Sequence, residues 1–170
     1  MEMDLRKPNI SVKLDLRNDF GFTNYIVTPE LKVADVIKPS GIHENLYLIS
    51  SGNIPPNPAE IILNERMDIL MEEVKRTFDY IIIDAPPIGM VTDAQLLSKY
   101  SDLTLYVVRQ GYTLREQLGI PQEIYVNKKM NNIAILMNDV KSESRYGYGY
   151  GYGIEEETPG FFSRIFKKNR

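Results

Sequence analysis

The 170-residue chain contains no cysteine, so disulfides and thiolate metal sites are excluded. That absence fits a cytoplasmic compartment. Histidine occurs once, as His43 in the polar stretch Ser40-Gly41-Ile42-His43-Glu44-Asn45, and reads as a surface residue rather than a ligand or base. There is no excess of positive charge: the net charge is −3, which argues against a general nucleic-acid binder. No apolar run approaches the ~20 residues of a membrane-spanning helix, and no secretory leader precedes the first strand signal. A glycine-rich phosphate loop carrying a lysine is also missing.

What is present alternates between strand and helix. Strand signals fall at Leu46 to Ser50, Tyr80 to Ile83, Leu103 to Val108 and Ile133 to Met137. Between the first two, Leu63, Met67, Leu70 and Val74 recur at helical spacing within Ala59 to Thr77. Asn57-Pro58 supplies a capping side chain and a proline that needs no donor at the helix start. Thr92 to Tyr100 reads as a short helix, and Thr113 to about Lys128 as a longer one broken near Gly119 and Pro121. Asn9 to Asp35 is less regular and reads as a connecting loop with one short helix after Pro29. This rhythm implies an α/β domain with a mainly parallel sheet and helices on both faces, over residues 1–141. Residues 142–170 read as a flexible tail, with the repeat Tyr146-Gly147-Tyr148-Gly149-Tyr150-Gly151-Tyr152-Gly153, then Glu155 to Glu157, then a basic end.

Two acids stand where strands end. Tyr80-Ile81-Ile82-Ile83 runs into Asp84 and then Pro86-Pro87, which places a carboxylate at the carboxyl edge of the sheet. Asp4, followed by Arg6, lies at the end of the opening strand. Such acids suit a magnesium ion beside a nucleotide phosphate, and the pair suggests phosphoryl transfer. An isolated Asp-X-Pro-Pro would more simply cap a turn, but Thr92-Asp93-Ala94 follows where the next helix should begin, and Asp4 adds a second carboxylate.

Three segments resemble the bacterial tyrosine kinases that control capsule and exopolysaccharide export. They are Glu2-Met3-Asp4-Leu5-Arg6-Lys7-Pro8, Ser51-Gly52-Asn53-Ile54-Pro55-Pro56-Asn57-Pro58-Ala59-Glu60, and Ile83-Asp84-Ala85-Pro86-Pro87 with Thr92-Asp93-Ala94. They lie in the family's order, and the likeness runs from Asp4 to the tyrosine cluster. The resemblance implies a P-loop NTPase-like fold of the deviant Walker type, with ATP and Mg2+ as cofactors. It implies Asp84 as the Walker B acid and Asp4 as a metal-organising acid that also activates the attacking tyrosine. Asn138 corresponds to a position near the adenine, and Tyr146, Tyr148, Tyr150 and Tyr152 to phosphoacceptors.

The resemblance further implies neighbouring kinase subunits, a membrane-embedded polysaccharide export machinery and a tyrosine phosphatase as partners, at the cytoplasmic face of the inner membrane. Glu2 stands where the family has an aspartate, and Ala85 where it has a threonine. In the family the phosphate loop lies upstream of the Asp4 motif. The chain therefore reads as a shortened kinase domain starting within a strand, inactive by itself, with a sheet edge and face uncovered. Two other readings remain at this point: a positioning ATPase of the same fold, and a non-catalytic phosphoacceptor module.

Overall fold

The fold was analysed in a computed structural model of the chain, which describes residues 1–16, 18–88, 92–130 and 132–141. Tyr146, Tyr148, Tyr150 and Tyr152 lie outside the described residues. All the elements belong to one unit, Met1–Asp139. In order they are α1 (Ile10–Lys13), α2 (Phe22–Val27), α3 (Val33–Val36), β1 (Lys38–Pro39), β2 (Tyr47–Leu48), α4 (Pro58–Ile62) and α5 (Glu65–Thr77). There follow α6 (Asp93–Ser98), β3 (Thr104–Arg109), a 3-10 turn (Arg115–Leu118), α7 (Gly119–Val126) and β4 (Ile133–Asn138).

The core forms where helical periodicity meets the opening segment. On α5, Met67, Leu70, Met71 and Val74 are buried, the i, i+3, i+4, i+7 stripe of an amphipathic helix. They join Met3, Leu5, Phe22, Tyr25, Ile26, Ile49, Ile62 and Leu97 in one cluster. The helix expected over Ala59 to Thr77 is in fact two. Asn64 has extended backbone and its side chain accepts from Arg66 N at 3.0 Å, which caps α5 and ends the preceding turn. Leu63 is thereby excluded from the stripe and is exposed. Asn57 does not cap α4 as expected: its Nδ2 donates to Glu60 Oε2 at 3.1 Å, while Pro58 does occupy the first turn.

Other elements depart from the pattern for identifiable reasons. The stretch Asn9 to Asp35 carries three short helices rather than one. Phe22, Tyr25 and Ile26 on α2 supply a buried face too short to show as periodicity. The 3-10 turn ends and α7 begins at Gly119, and Pro121 falls within the first turn of α7, where a missing donor costs nothing. His43 is exposed, and its Nδ1 accepts from Asn45 N at 3.1 Å.

Two ladders are present among the described residues. β3 and β4 run parallel, from Thr104↔Ile133 to Arg109↔Asn138. β1 and β2 pair antiparallel over two positions, an arrangement the helix–strand alternation did not anticipate. Tyr80 to Ile83 forms no ladder of its own and meets the opening segment through a single parallel bridge, Glu2↔Asp84. Along this run Ile81 and Ile83 pack on the core while Tyr80 and Ile82 are exposed, at 90% and 79%. Leu105, Val107, Leu136 and Met137 are also exposed, although a parallel pair of such composition is normally covered on both faces.

The split of the helix has a measurable consequence. Leu70→Ala should lower stability by about 2–5 kcal/mol, the cost of a buried cavity. Leu63→Ala should change it by no more than about 0.5 kcal/mol. Urea denaturation of both variants checks this, and comparable losses at the two positions would contradict the break at Asn64.

Candidate functional site

Residues 1–4 are held between two neighbours. Glu2 N donates to Ile49 O at 2.9 Å on one side. On the other, Met3 N donates to Asp84 O at 2.8 Å and Asp84 N to Met1 O at 2.9 Å. The Met1 amino group donates to Ile82 O at 2.6 Å. A short apolar run thus places Asp84 beside the Glu2–Asp4 stretch across 80 residues of sequence.

The result is a concentration of negative charge. Burial pushes the Asp84 carboxyl above its ordinary range, and the charges of Asp4 and then Glu2 push it further. The Met1 amino group and Lys13 act in the opposite direction. Like charges held together in a half-buried setting are what a divalent cation relieves.

The three carboxylates are not equivalent. Asp4 Oδ1 accepts from Arg6 N at 3.2 Å and Lys7 N at 3.0 Å, an Asx turn that shapes the loop following the strand. Glu2 is completely buried. Its Oε1 accepts from Ile10 N at 2.6 Å and Ser11 N at 3.1 Å, and its Oε2 from Ser51 N at 3.3 Å. Hydrogen bonds to a charged group contribute roughly 1.5–3 kcal/mol each, against a desolvation cost of several kcal/mol for the ion. Several such bonds are therefore needed to keep this carboxylate inside. Ser51 is followed by Gly52, whose φ of +77° only glycine adopts readily and where a Cβ would collide with Asn24 Oδ1.

Arg6 is already engaged. Its Nε and Nη2 donate to Asp93 Oδ2 and Oδ1 at 2.8 and 3.2 Å, and Asp93 is 1% exposed. The sequence marked Asp93 only as part of a segment opening a helix. The fold makes it the buried partner that ties the loop after Asp4 to the start of α6. Forked Arg–carboxylate pairing of this kind fixes orientation as well as position. Neither Arg6 nor Asp93 could have been paired from spacing, because 87 residues separate them.

Asn138 ends β4 opposite Arg109. Its Oδ1 accepts from Asp139 N at 2.9 Å, and its carbonyl accepts from Gln110 N at 3.1 Å. No hydrogen bond links it to Asp4 or Asp84 among the described residues, while Asp4 and Asp84 lie close enough for their charges to interact. No group of three or more histidine, cysteine or acidic side chains forms a metal cage among the described residues. Two carboxylates without nitrogen or sulfur donors fit Mg2+, which keeps several waters and uses few protein ligands.

Comparison with known proteins bears on this geometry. The chain is 32% identical over 149 residues to the tyrosine-protein kinase YwqD of Bacillus subtilis, covering 86% of this chain and 62% of that protein. It is 35% identical over 128 residues to the tyrosine-protein kinase CpsD of Streptococcus agalactiae serotype Ia, covering 75% of this chain and 54% of that one. Among solved structures, the kinase domain of the Escherichia coli tyrosine kinase ETK superposes with a TM-score of 0.75 at 26% identity. The match covers 89% of this chain and 58% of that domain. The chimerical protein CapA2B2 gives a TM-score of 0.71 at 29% identity, over 82% of this chain and 62% of that one. No protein-family model matches the chain. The α/β architecture is therefore the P-loop NTPase-like fold of these kinase domains, and the chain spans only part of their length.

The charge crowding at Asp84 predicts a stability effect with a definite sign. A carboxyl whose folded pKa is raised disfavours folding once it ionises, so its cost is present at neutral pH and vanishes as the pH falls below the unfolded carboxylate range. Asp84→Asn should therefore raise the thermal midpoint at pH 7, with the gain shrinking toward zero in acid. A midpoint lowered at pH 7 would show that Asp84 is satisfied by contacts rather than crowded by charge.

Proposed function

We propose that this chain, which belongs to the bacterial tyrosine kinase family, is part of an ATP-dependent protein-tyrosine autokinase acting in capsular or exopolysaccharide synthesis and export. The observation that carries the reading is the apposition of Asp4 and Asp84 on two segments joined by a backbone bridge, in a chain related to kinases over most of its length. Asp84 and Asp4 hold Mg2+ in this reading, and Asp4 also accepts the proton of the attacking tyrosine hydroxyl. The ion supplies charge stabilisation at the transferring phosphate. Arg6 stays with Asp93 and orients the loop, leaving phosphate contact to other groups. Asn138 lies toward the adenine. The phosphoacceptors are Tyr146, Tyr148, Tyr150 and Tyr152, whose glycine neighbours leave the backbone free to enter another subunit's site.

The partners that follow are neighbouring kinase subunits, a membrane-embedded polysaccharide export machinery and a tyrosine phosphatase, at the cytoplasmic face of the bacterial inner membrane. Each phosphate adds almost two negative charges near Glu155 to Glu157, which works against close assembly of subunits. The residues of this chain do not fit the triphosphate itself. The sequence has no glycine-rich loop with a lysine, and the acids offer negative charge to a negative ligand. Exposed Tyr80, Ile82, Leu105 and Val107 agree with a sheet that needs further polypeptide to be covered. The chain's tail suits a second, compatible role, that of phosphoacceptor for a kinase.

Two measurements test the reading. Calorimetric titration of the chain with magnesium-ATP should detect weak binding or none, and micromolar affinity would mean that a phosphate site is built some other way. Incubation with an intact homologous kinase, followed by mass spectrometry, should place most of the phosphate on Tyr146, Tyr148, Tyr150 and Tyr152. Label concentrated on Tyr80 or Tyr106 would count against the tail as substrate.

A further inference from the structure

We propose that Glu2 is a positioning residue for Asp4 and Asp84 and not a third metal ligand, an inference that rests on the metal role assigned to that pair. In the sequence Glu2 looks like the partner acid of Asp4, two residues before it. The geometry points elsewhere. Both carboxylate oxygens face inward onto backbone amides: Oε1 onto Ile10 N at 2.6 Å and Ser11 N at 3.1 Å, Oε2 onto Ser51 N at 3.3 Å. A carboxylate has about four lone-pair sites, and three are taken here by donors from two separate segments. A cation seated on Glu2 would strip those amides of their acceptor within a side chain that is 0% exposed.

The same residue is joined through its backbone to the segment that carries Asp84. Glu2 N bonds to Ile49 O, and Glu2 is the bridge partner of Asp84. The chain leaves Glu2, passes through Asp4 and Arg6, and returns at Ile10 to the Glu2 carboxylate. The intervening loop is thus closed by one side chain and held at its middle by the Arg6–Asp93 pair. The position of Asp4 relative to Asp84 follows from that closure.

The extra methylene of glutamate is what makes the closure reach. Aspartate would withdraw the carboxylate by about 1.5 Å, one carbon–carbon bond, and contacts of 3.1 and 3.3 Å would no longer be hydrogen bonds. The Ser11 hydroxyl, next to one of these amides, is buried and has no hydrogen-bond partner among the described residues.

The full chain carrying Glu2→Asp or Glu2→Gln separates positioning from ligation, with Mn2+ as the probe, followed by electron paramagnetic resonance, and amide hydrogen exchange read by NMR. Glu2→Asp keeps the charge and loses the reach. It should speed exchange at Ile10, Ser11 and Ser51 at least tenfold and weaken Mn2+ at least fivefold. Glu2→Gln keeps the reach and loses the charge. It should leave Mn2+ affinity within threefold, with faster exchange confined to Ser51, whose acceptor becomes an amide nitrogen. A ligand would behave in the opposite order. Mn2+ affinity lost tenfold in Glu2→Gln but retained in Glu2→Asp, with exchange unchanged, overturns the proposal. Absence of Mn2+ binding to the unaltered chain would instead sink the metal role of Asp4 and Asp84. In that event unchanged exchange at the three amides in Glu2→Asp still overturns the closure by Glu2.

Discussion

The arrangement of the candidate site depends on residues 1–4 being held between Ile49 and Asp84 by backbone hydrogen bonds. Backbone hydrogen bonding sets this, and each bond contributes only about 1 kcal/mol net, so the alignment is secured by what the side chains bury. Met3 and Leu5 enter the core with Ile49, Ile62 and the inner stripe of α5. In that register the remaining positions, Glu2 and Asp4, come beside Asp84, and the acids meet because the hydrophobic residues between them must be buried.

That meeting is unfavourable by itself. Asp84 is pushed up by burial and by its acidic neighbours, so the folded chain carries electrostatic strain at the strand ends. The structure limits the strain by distributing the acids differently. Glu2 is saturated with backbone donors and buried, Asp4 is turned onto its own loop, and Arg6 is withdrawn to Asp93. A cation close to the acids is thereby assigned away from them. Stability given up in this way is common at functional sites, where charge is arranged for a ligand rather than for the fold. Similarity to tyrosine-protein kinases over most of the chain accords with such a site.

Legibility in the sequence followed the length over which a pattern could repeat. The α5 stripe was readable because Met67, Leu70 and Val74 recur over several turns. The helix break at Asn64 was not, because Leu63 happens to continue the period while lying outside the helix. The helices α1, α2 and α3 have four to six residues, less than two turns, and leave almost no periodic trace. Asp4 and Asp84 stood out because strand signals were read as ending at them, whereas Asp93 was seen only as part of a motif and its buried pairing with Arg6 was not.

The sequence by itself determined the class of fold, the chemistry of the candidate ligands and the segments that carry family likeness. These depend on residue type and short-range order: alternating apolar runs, carboxylates at strand ends, prolines and glycines at turns. Only the tertiary structure decided which acids meet and what each one faces. Glu2 and Asp4 are both acids in one short motif, yet one accepts from three backbone amides and the other shapes a loop beside Asp84. The physical reason is that a side chain's protonation and partners depend on burial and on neighbours distant in sequence, which come together only when the core closes.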